Sequence, residues 1–280
     1  MTEKVRLPVE IEIRPYLWDH RFEGRPVLPA VEALQILAAS VKAHMPEVDV
    51  NFMSDAGFSR FLHIKPDENR IEAFNEIVKH EDGKVSSCLI TIMSSKSGNI
   101  TRAKEHVIVK YGIRERTVKE LPFDQARSMD GVCFVIPSQR LYSELVPFGS
   151  AYHNVLDVIY LSEQGAAMKA AGADHGAPVF PLGSPFPFDA ALHGACAWGQ
   201  RFSGIVAFPV GFKERVIYKP TATGETYFCR IIPVRTNSDI LLFDIWIYEL
   251  NGTLCEAVSG VQMRDVSNGR MKPPEWVKIK

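Results

Sequence analysis

A histidine just before an apolar helix is the first feature of this sequence that could do chemistry. His20 lies in the segment from Asp19 to Pro29, which reads His-x-x-x-Gly-x-x-x-x-Pro, and the almost wholly apolar stretch from Ala30 to Met45 follows at once. An imidazole exchanges a proton near neutral pH, and the start of a helix offers unpaired backbone N–H groups to a developing negative charge. The pattern predicts acid–base chemistry beside a carbonyl group.

A carboxylate opens a second apolar helix, which we predict from about Asp189 to Phe202. The preceding Phe-Pro-Phe and the following Ala-Ala-Leu surround Asp189 with apolar neighbours, which favour the protonated acid over the carboxylate. His193 comes four residues later and shares a helical face with Asp189. An aspartate in this position is also a good helix N-cap, and a histidine on an apolar helix is often structural. Because His20 is also present, we interpret Asp189 as a catalytic acid rather than as a helix N-cap alone.

These two motifs, in this order, resemble those of the dehydratase domains of polyketide and fatty-acid synthases. His20, Gly24 and Pro29 resemble the signature of hotdog-fold 3-hydroxyacyl-thioester dehydratases, and Asp189 with His193 resembles the Asp-x-x-x-Gln/His motif of the second hotdog helix. The resemblance implies a double hotdog that removes water across C2–C3 of a 3-hydroxyacyl thioester. It also implies that the substrate rides on the phosphopantetheine arm of an acyl carrier protein.

The rest of the chain carries weaker matches and one departure. Tyr142 to His153 resembles the family stretch Gly-x-x-Tyr-Gly-Pro-x-Phe, and Phe243 to Val266 resembles its closing hairpin. The Tyr-Gly-Pro positions are here Phe148, Gly149 and Ser150, so a phenol hydroxyl is lost. If that hydroxyl orients the acid or the substrate, Tyr152 or His153 must replace it.

Dehydration needs a base for the C2 proton, an acid for the C3 hydroxyl and donors for the thioester oxygen. We assign these roles to His20, to Asp189 and to the amide of Ala30, with Pro29 as the first helical residue. The other candidates position the substrate or line its tunnel: Gly24, Pro29 and His193 for positioning, and Phe148, Gly149, Tyr152 and Phe186 for the tunnel.

The division of these groups between the two halves indicates one composite site per chain. In related single-hotdog enzymes an acid sits six residues after the motif proline, and here that residue is Gln35. The first half therefore has a histidine without an acid, and the second has Asp189 without the histidine loop. Glu32 is the competing carboxylate, although the helix dipole alone favours an acidic residue there.

Two rival functions share the expected fold. A product-template-like cyclase would use a similar His/Asp pair for aldol closure of a polyketone, and a non-catalytic hotdog module would bind acyl chains or scaffold a synthase. The spacing around His20 favours dehydration over cyclisation. An intact His20 and Asp189 argue against a silent module, and Phe148 is the feature that supports one.

The order of elements predicts an α+β chain made of two like halves, and the resemblance sharpens this to a double hotdog. Each half shows an apolar helix followed by strands, which implies two antiparallel sheets that each wrap a central helix, side by side. The expected domains are residues 1–115, a linker at 116–130 and residues 131–280. Strands are predicted at 58–65, 70–79, 85–93, 103–111, 156–161, 210–218, 226–234, 240–249 and 253–266, with a loop at 165–185.

The amino-acid composition narrows the classes of function that this chain could have. Thirty-two basic and thirty-three acidic residues provide no overall field for nucleic acid, and five scattered cysteines fit a reducing cytoplasm. No metal-ligand cluster, cofactor loop or apolar run of membrane-spanning length is apparent. We expect a cytoplasmic enzyme without a cofactor of its own, acting on an acyl carrier protein, with other synthase components or a homodimer as further partners.

Carrier proteins of this kind are usually acidic, so a local basic surface would suit docking. Lys213, Arg215, Lys219 and Arg230 lie on two predicted strands of the second half. Alternation along a strand would bring the first three toward one face. The sequence predicts this face as the docking surface, with an ordinary solvated strand face as the alternative.

Overall fold

The computed structural model describes residues 3–94, 101–112, 118–131, 133–174, 176, 181–236 and 240–278. The strands are β1 (Glu3–Glu12), β2 (Arg21–Phe22), β3 (Arg25–Pro26), β4 (Phe52–Phe58), β5 (Arg70–Lys79), β6 (Val85–Ser94), β7 (Thr101–Tyr111), β8 (Phe134–Pro137), β9 (Val155–Ser162), β10 (Gly165–Ala171), β11 (Phe208–Ile217), β12 (Thr226–Thr236), β13 (Leu241–Glu249) and β14 (Leu254–Arg264). The α-helices are α1 (Ala30–His44), α2 (Phe123–Arg127), α3 (Ser138–Arg140) and α4 (Phe186–Phe202).

Twelve of the strands form one antiparallel sheet in the order β1-β5-β6-β7-β4-β11-β14-β13-β12-β10-β9-β8. The first five strands belong to the N-terminal half and the last seven to the C-terminal half. Strands β4 and β11 join the halves, with Gly57 opposite Gly211 and Phe52 opposite Val216. The double-hotdog prediction is confirmed, with the refinement that its two sheets are continuous.

Each half of the sheet wraps one long helix. Helix α1 lies against β1, β5, β6 and β7, and α4 lies against β9 to β13. Every residue from Phe186 to Gln200 is buried, because a helix that is apolar on nearly all sides must be enclosed. Strand β5 buries alternate residues such as Ile71 and Ala73 toward α1. The two helices also touch each other, and residues from the first turn of each line the same cavity.

One strand prediction and one loop prediction are wrong, and another strand was not predicted. Residues 58–65 alternate in polarity, yet the strand runs from Phe52 to Phe58 and the rest is a loop with one bridge from His63 to Val27. The predicted loop at 165–185 begins with strand β10, which pairs with both β9 and β12. Strand β1 was not predicted, although its Pro8 suits an edge strand that needs no N–H on its open side.

The segment between the halves is anchored on the outer face of the second half. Helix α2 occupies its middle, and Trp246 and Tyr248 of β13 donate hydrogen bonds to the carbonyl oxygens of Lys119 (2.9 Å) and Leu121 (2.5 Å). Residues 116 and 117 of the predicted linker lie outside the described residues, as do residues 113–115 before it. The division into residues 1–115, 116–130 and 131–280 stays a prediction.

The predicted basic docking face is wrong. Lys213 and Lys219 are exposed, but Arg215 is only 1% exposed and its guanidinium binds the Glu256 carboxylate at 2.7 Å. Arg230 is also buried, where it donates to the carbonyl oxygen of Ala166. Because two of the four cations are held inside the sheet, these residues do not form one surface.

Candidate functional site

A tight hairpin places the candidate base. Strands β2 and β3 pair through a two-residue turn, in which Glu23 has φ 47° and Gly24 has φ 76°. Two left-handed residues in succession are the mark of a type I′ hairpin turn, and glycine adopts this conformation without strain. The next pair in register is His20 and Val27, whose N–H donates to the His20 carbonyl oxygen at 2.9 Å. The spacing of His20 and Gly24 is therefore a requirement of the hairpin.

The same pairing fixes which nitrogen of His20 can act as a base. Its Nδ1 lies 3.1 Å from the carbonyl oxygen of Val27, which only accepts hydrogen bonds, so Nδ1 carries the proton. The lone pair of Nε2 is then available in the neutral ring. Burial lowers the pKa of His20 below its usual value, and Asp189 opposes this shift only when it is ionised. His20 is held as a neutral imidazole, which is the form that a general base needs.

The candidate acid lies in the first turn of helix α4. The carboxyl of Asp189 is buried, at 4% exposure, and its Oδ2 lies 3.1 Å from Nε2 of His193. The two atoms are close but do not form a hydrogen bond with each other, and neither has a hydrogen-bond partner among the described residues. Two buried polar atoms therefore remain to receive a polar group of a substrate.

A tyrosine outside the expected set orients His193. The backbone N–H of Val155 donates to the Tyr142 hydroxyl at 2.8 Å, and that hydroxyl lies 3.3 Å from Nδ1 of His193. After accepting from Val155 the oxygen keeps its own hydrogen and a second lone pair, so it can donate to Nδ1 or accept from it. When the hydroxyl donates, Nε2 of His193 carries the proton. With either tautomer, Tyr142 holds the ring so that Nε2 faces Oδ2 of Asp189.

Both candidates line one cavity of about 800 Å³ between the halves. The sequence-predicted residues that the structure brings together on its wall are His20, Ala30, Phe148, Asp189 and His193. Most of the remaining wall is apolar. Such a cavity is of the size that holds a small ligand, with few polar groups to fix its orientation.

The start of helix α1 forms part of this wall through Ala30 and Val31. Pro29 is the N-cap rather than the expected first helical residue, and its carbonyl oxygen accepts the first intrahelical bond, from Ala33. The N–H groups of Ala30 and Val31 therefore have no acceptor within the helix. They remain the candidate donors to a thioester oxygen.

Other sequence-predicted site residues do not line the cavity. Gly24 forms the hairpin turn, Pro29 caps α1, and Tyr152 and Phe186 are fully buried in the core. The rings of Tyr152 and His20 are nevertheless in edge contact, with centroids 5.1 Å apart. These residues therefore contribute to the framework around the cavity and do not line it.

Gly149 does not line a tunnel. It allows its loop to approach Asp19 closely. Its N–H donates to the Asp19 carbonyl oxygen at 2.8 Å, and the Asp19 carboxylate accepts from the N–H of Ala151 at 3.0 Å. A Cβ at Gly149 would lie 2.2 Å from Cγ of Asp19. This contact docks the turn after Phe148 onto the residue before His20, and the Phe148 ring stacks on the imidazole at 4.4 Å.

The lost phenol hydroxyl is not replaced by either expected residue. The hydroxyl of Tyr152 is buried without a partner among the described residues, and Nε2 of His153 bonds the carbonyl oxygen of Phe148. Tyr142 is the tyrosine that reaches His193. It lies in the stretch that resembles the family motif, but nothing in its spacing distinguishes it from the neighbouring aromatic residues.

Comparisons with known proteins agree with this architecture. No protein-family model and no curated protein sequence matches the chain. Among solved structures, the dehydratase domain of a mycocerosic acid synthase-like polyketide synthase is 15% identical, with a TM-score of 0.72 and coverage of 94% of this chain and 95% of that one. A trans-acyltransferase polyketide synthase dehydratase domain from Brevibacillus brevis is 16% identical, with a TM-score of 0.73 and 94% of both chains covered. The chain has the double-hotdog fold of these dehydratase domains.

A third structure shows that this fold serves more than one reaction. The enoyl-isomerase of a trans-acyltransferase polyketide synthase is 16% identical, with a TM-score of 0.68 and coverage of 92% of this chain and 99% of that one. The choice of reaction therefore depends on the site residues. Within the described ranges, no three His, Cys, Asp or Glu side chains are grouped to hold a metal ion, and no helix there has the length and apolarity to span a membrane.

Proposed function

We propose that this chain dehydrates a 3-hydroxyacyl thioester to the 2-enoyl thioester. The observation that carries the proposal is a single cavity shared by His20, Asp189 and the start of helix α1. His20 supplies a neutral imidazole with a free Nε2, and Asp189 supplies a buried carboxyl beside an oriented His193. The base and the acid come from opposite halves, so one chain holds one complete site.

In the proposed reaction, the thioester oxygen accepts hydrogen bonds from the N–H groups of Ala30 and Val31. These donors, with the positive end of the α1 dipole, stabilise the negative charge that develops as Nε2 of His20 removes the C2 proton. The carboxylic acid of Asp189 donates its proton to the departing C3 hydroxyl, which leaves as water. Transfer of a proton from His20 back to Asp189 restores the starting state.

The rival reactions on this fold place different demands on Asp189. An enoyl isomerase moves a proton without releasing water, so it needs no acid for a leaving hydroxyl. A cyclase forms a carbon–carbon bond, and a silent module needs neither group. A buried carboxyl on the cavity wall beside His193 is placed to give a proton to a leaving hydroxyl, which favours dehydration.

The function is tested by incubating the chain with a short 3-hydroxyacyl carrier protein and measuring intact mass. Dehydration removes the mass of one water from the acyl carrier. A 2-enoyl carrier protein is run in parallel, because double-bond migration leaves the mass unchanged and is detected by NMR of the released acyl group. Migration without water loss would replace the proposal with an isomerase, and no change in either substrate would favour a binding module.

The cavity opening suits the proposed phosphopantetheine arm. Arg60 from the first half and Arg264 from the second line the cavity and are exposed, and neither forms an ion pair among the described residues. Asp265 lies beside them, but its carboxylate is engaged by the N–H and hydroxyl of Ser267 at 2.7 and 2.6 Å. Two arginines at the opening can bind a phosphate, such as the one that joins the arm to its carrier.

Replacing both arginines with glutamine should weaken binding of a phosphate-bearing substrate only. In the Arg60→Gln/Arg264→Gln variant we expect KM for a phosphopantetheine thioester to rise about tenfold, the effect of losing about 1.4 kcal/mol of charged hydrogen bonding. KM for the matching pantetheine thioester, which has no phosphate, should not change. Lys213→Gln, on the exposed surface, is the control. Equal increases on both substrates would show damage to the cavity, and no increase would place the phosphate elsewhere.

A further inference from the structure

Glu32 is a buried carboxyl that the proposed reaction does not use. It lies in the first turn of helix α1 at 2% exposure, and its Oε1 accepts a hydrogen bond from the Tyr16 hydroxyl at 3.1 Å. It is not among the residues that line the cavity, so it does not compete with Asp189 as the acid. No Lys or Arg of the described residues forms an ion pair with it.

Stability does not account for this residue. A carboxyl removed from water costs free energy unless its oxygens are well paired, and a leucine of similar volume would carry no such cost. Burial is also the main reason that the pKa of Glu32 rises to about 7, and Asp189 adds to the rise when it is ionised. A group that is costly to bury and lies close to the site is a candidate for a functional role.

The hydrogen bond joins the two segments whose separation matters most for the reaction. Tyr16 lies in the short 3₁₀ turn Pro15–Asp19, which ends one residue before His20. Glu32 lies two residues after Ala30, whose N–H is a candidate donor to the thioester oxygen. The ring of Tyr152 packs against two residues on the His20 side of this junction, with its centroid 6.4 Å from that of Tyr16 and 5.1 Å from that of His20.

We propose that Glu32 is a positioning residue that acts through Tyr16. Its carboxyl sets the distance between the His20 base and the N–H groups at the start of α1, and the Tyr152 ring transmits the constraint to the imidazole. This inference rests on the proposed function. A displacement of about 1 Å between base and donors costs on the order of 10²-fold in rate, so one hydrogen bond at this junction has a large effect on turnover.

Three variants separate positioning from the other roles of a buried carboxyl. Glu32→Gln keeps an oxygen that accepts from Tyr16, so we expect it to retain kcat within about threefold. Glu32→Leu and Tyr16→Phe each remove the hydrogen bond and should lower kcat by about 10- to 100-fold with KM unchanged. Because both remove one interaction, the double variant should be no slower than the slower single one.

A second measurement does not depend on turnover. We expect NMR titration of His20 in the wild type to show a pKa below the usual value, since burial lowers it. Glu32→Gln should leave that titration in place. Glu32→Leu should move it toward the ordinary histidine value, because a loosened loop admits water. Both variants lack the carboxyl charge of Glu32. The difference between them therefore tests the acceptor for the Tyr16 hydroxyl.

The possible results separate a positioning role of Glu32 from direct proton transfer by its carboxyl. A Glu32→Gln variant as slow as Glu32→Leu would show that the carboxyl itself moves a proton, and would overturn positioning. A Glu32→Leu variant with wild-type kcat and His20 titration would overturn it as well. If wild-type protein dehydrates no hydroxyacyl thioester, the proposed function fails, while the His20 titrations of the Gln and Leu variants still decide whether Glu32 positions the imidazole.

Discussion

His20→Ala should abolish dehydration, and Asp189→Asn should lower kcat by at least about 10²-fold, the usual scale for losing a positioned acid or base. His20 lines the described cavity with Nδ1 on the Val27 carbonyl oxygen, which leaves Nε2 of the neutral ring to take a proton. Asparagine fills the space of Asp189 but cannot donate a carboxylic proton to a leaving hydroxyl. Both effects are measured as turnover of a 3-hydroxyacyl carrier protein, with unfolding curves to confirm that each variant is folded.

The two variants should differ in a partial reaction. Removal of the C2 proton needs His20 but not the acid, so Asp189→Asn should still exchange that proton with deuterated solvent, and His20→Ala should not. His63→Ala is the matched control, because His63 is exposed and lies off the cavity wall. Near-normal turnover in both site variants would refute the His/Asp assignment. Exchange by His20→Ala at the wild-type rate would assign the base to another group.

The local parts of the site were accessible from the sequence because they depend on short spacings. The interval between His20 and Gly24 is the length of a two-residue hairpin, and Pro29 is close enough to cap the next helix. Asp189 and His193 meet because residues four apart share a helical face. Each of these contacts is set within one element, so one stretch of sequence contains the whole pattern.

Contacts between distant segments were not accessible in the same way. Tyr142 reaches His193, and Tyr16 reaches Glu32, across 51 and 16 residues of chain. Nothing in the spacing of those tyrosines marks them among the other aromatic residues. The burial of Arg215 has the same origin, since its partner Glu256 lies on the neighbouring strand and alternation within one strand does not show what pairs across the sheet.

Gly149 is another such residue, and its replacement should have a large effect. Its backbone has φ −73°, which alanine adopts without strain, so any cost of Gly149→Ala comes from the side chain. The added Cβ would lie 2.2, 2.3 and 2.6 Å from Cγ, Oδ1 and Cβ of Asp19. A side chain cannot rotate its own Cβ away, so the backbone of one loop must move.

We expect Gly149→Ala to lower the free energy of unfolding by about 1–3 kcal/mol, the usual range for overpacking. It should also lower kcat by on the order of 10²-fold, because Asp19 precedes His20 and a shift of about 1 Å misplaces the base. Gly57→Ala is the control, since its Cβ would meet only a methyl group of Ile108 at 3.3 Å. Denaturant unfolding and turnover measure the two effects. If Gly149→Ala matched Gly57→Ala in both, the contact with Asp19 would not hold His20 in place, and the stacking of Phe148 on the imidazole would have to do so alone.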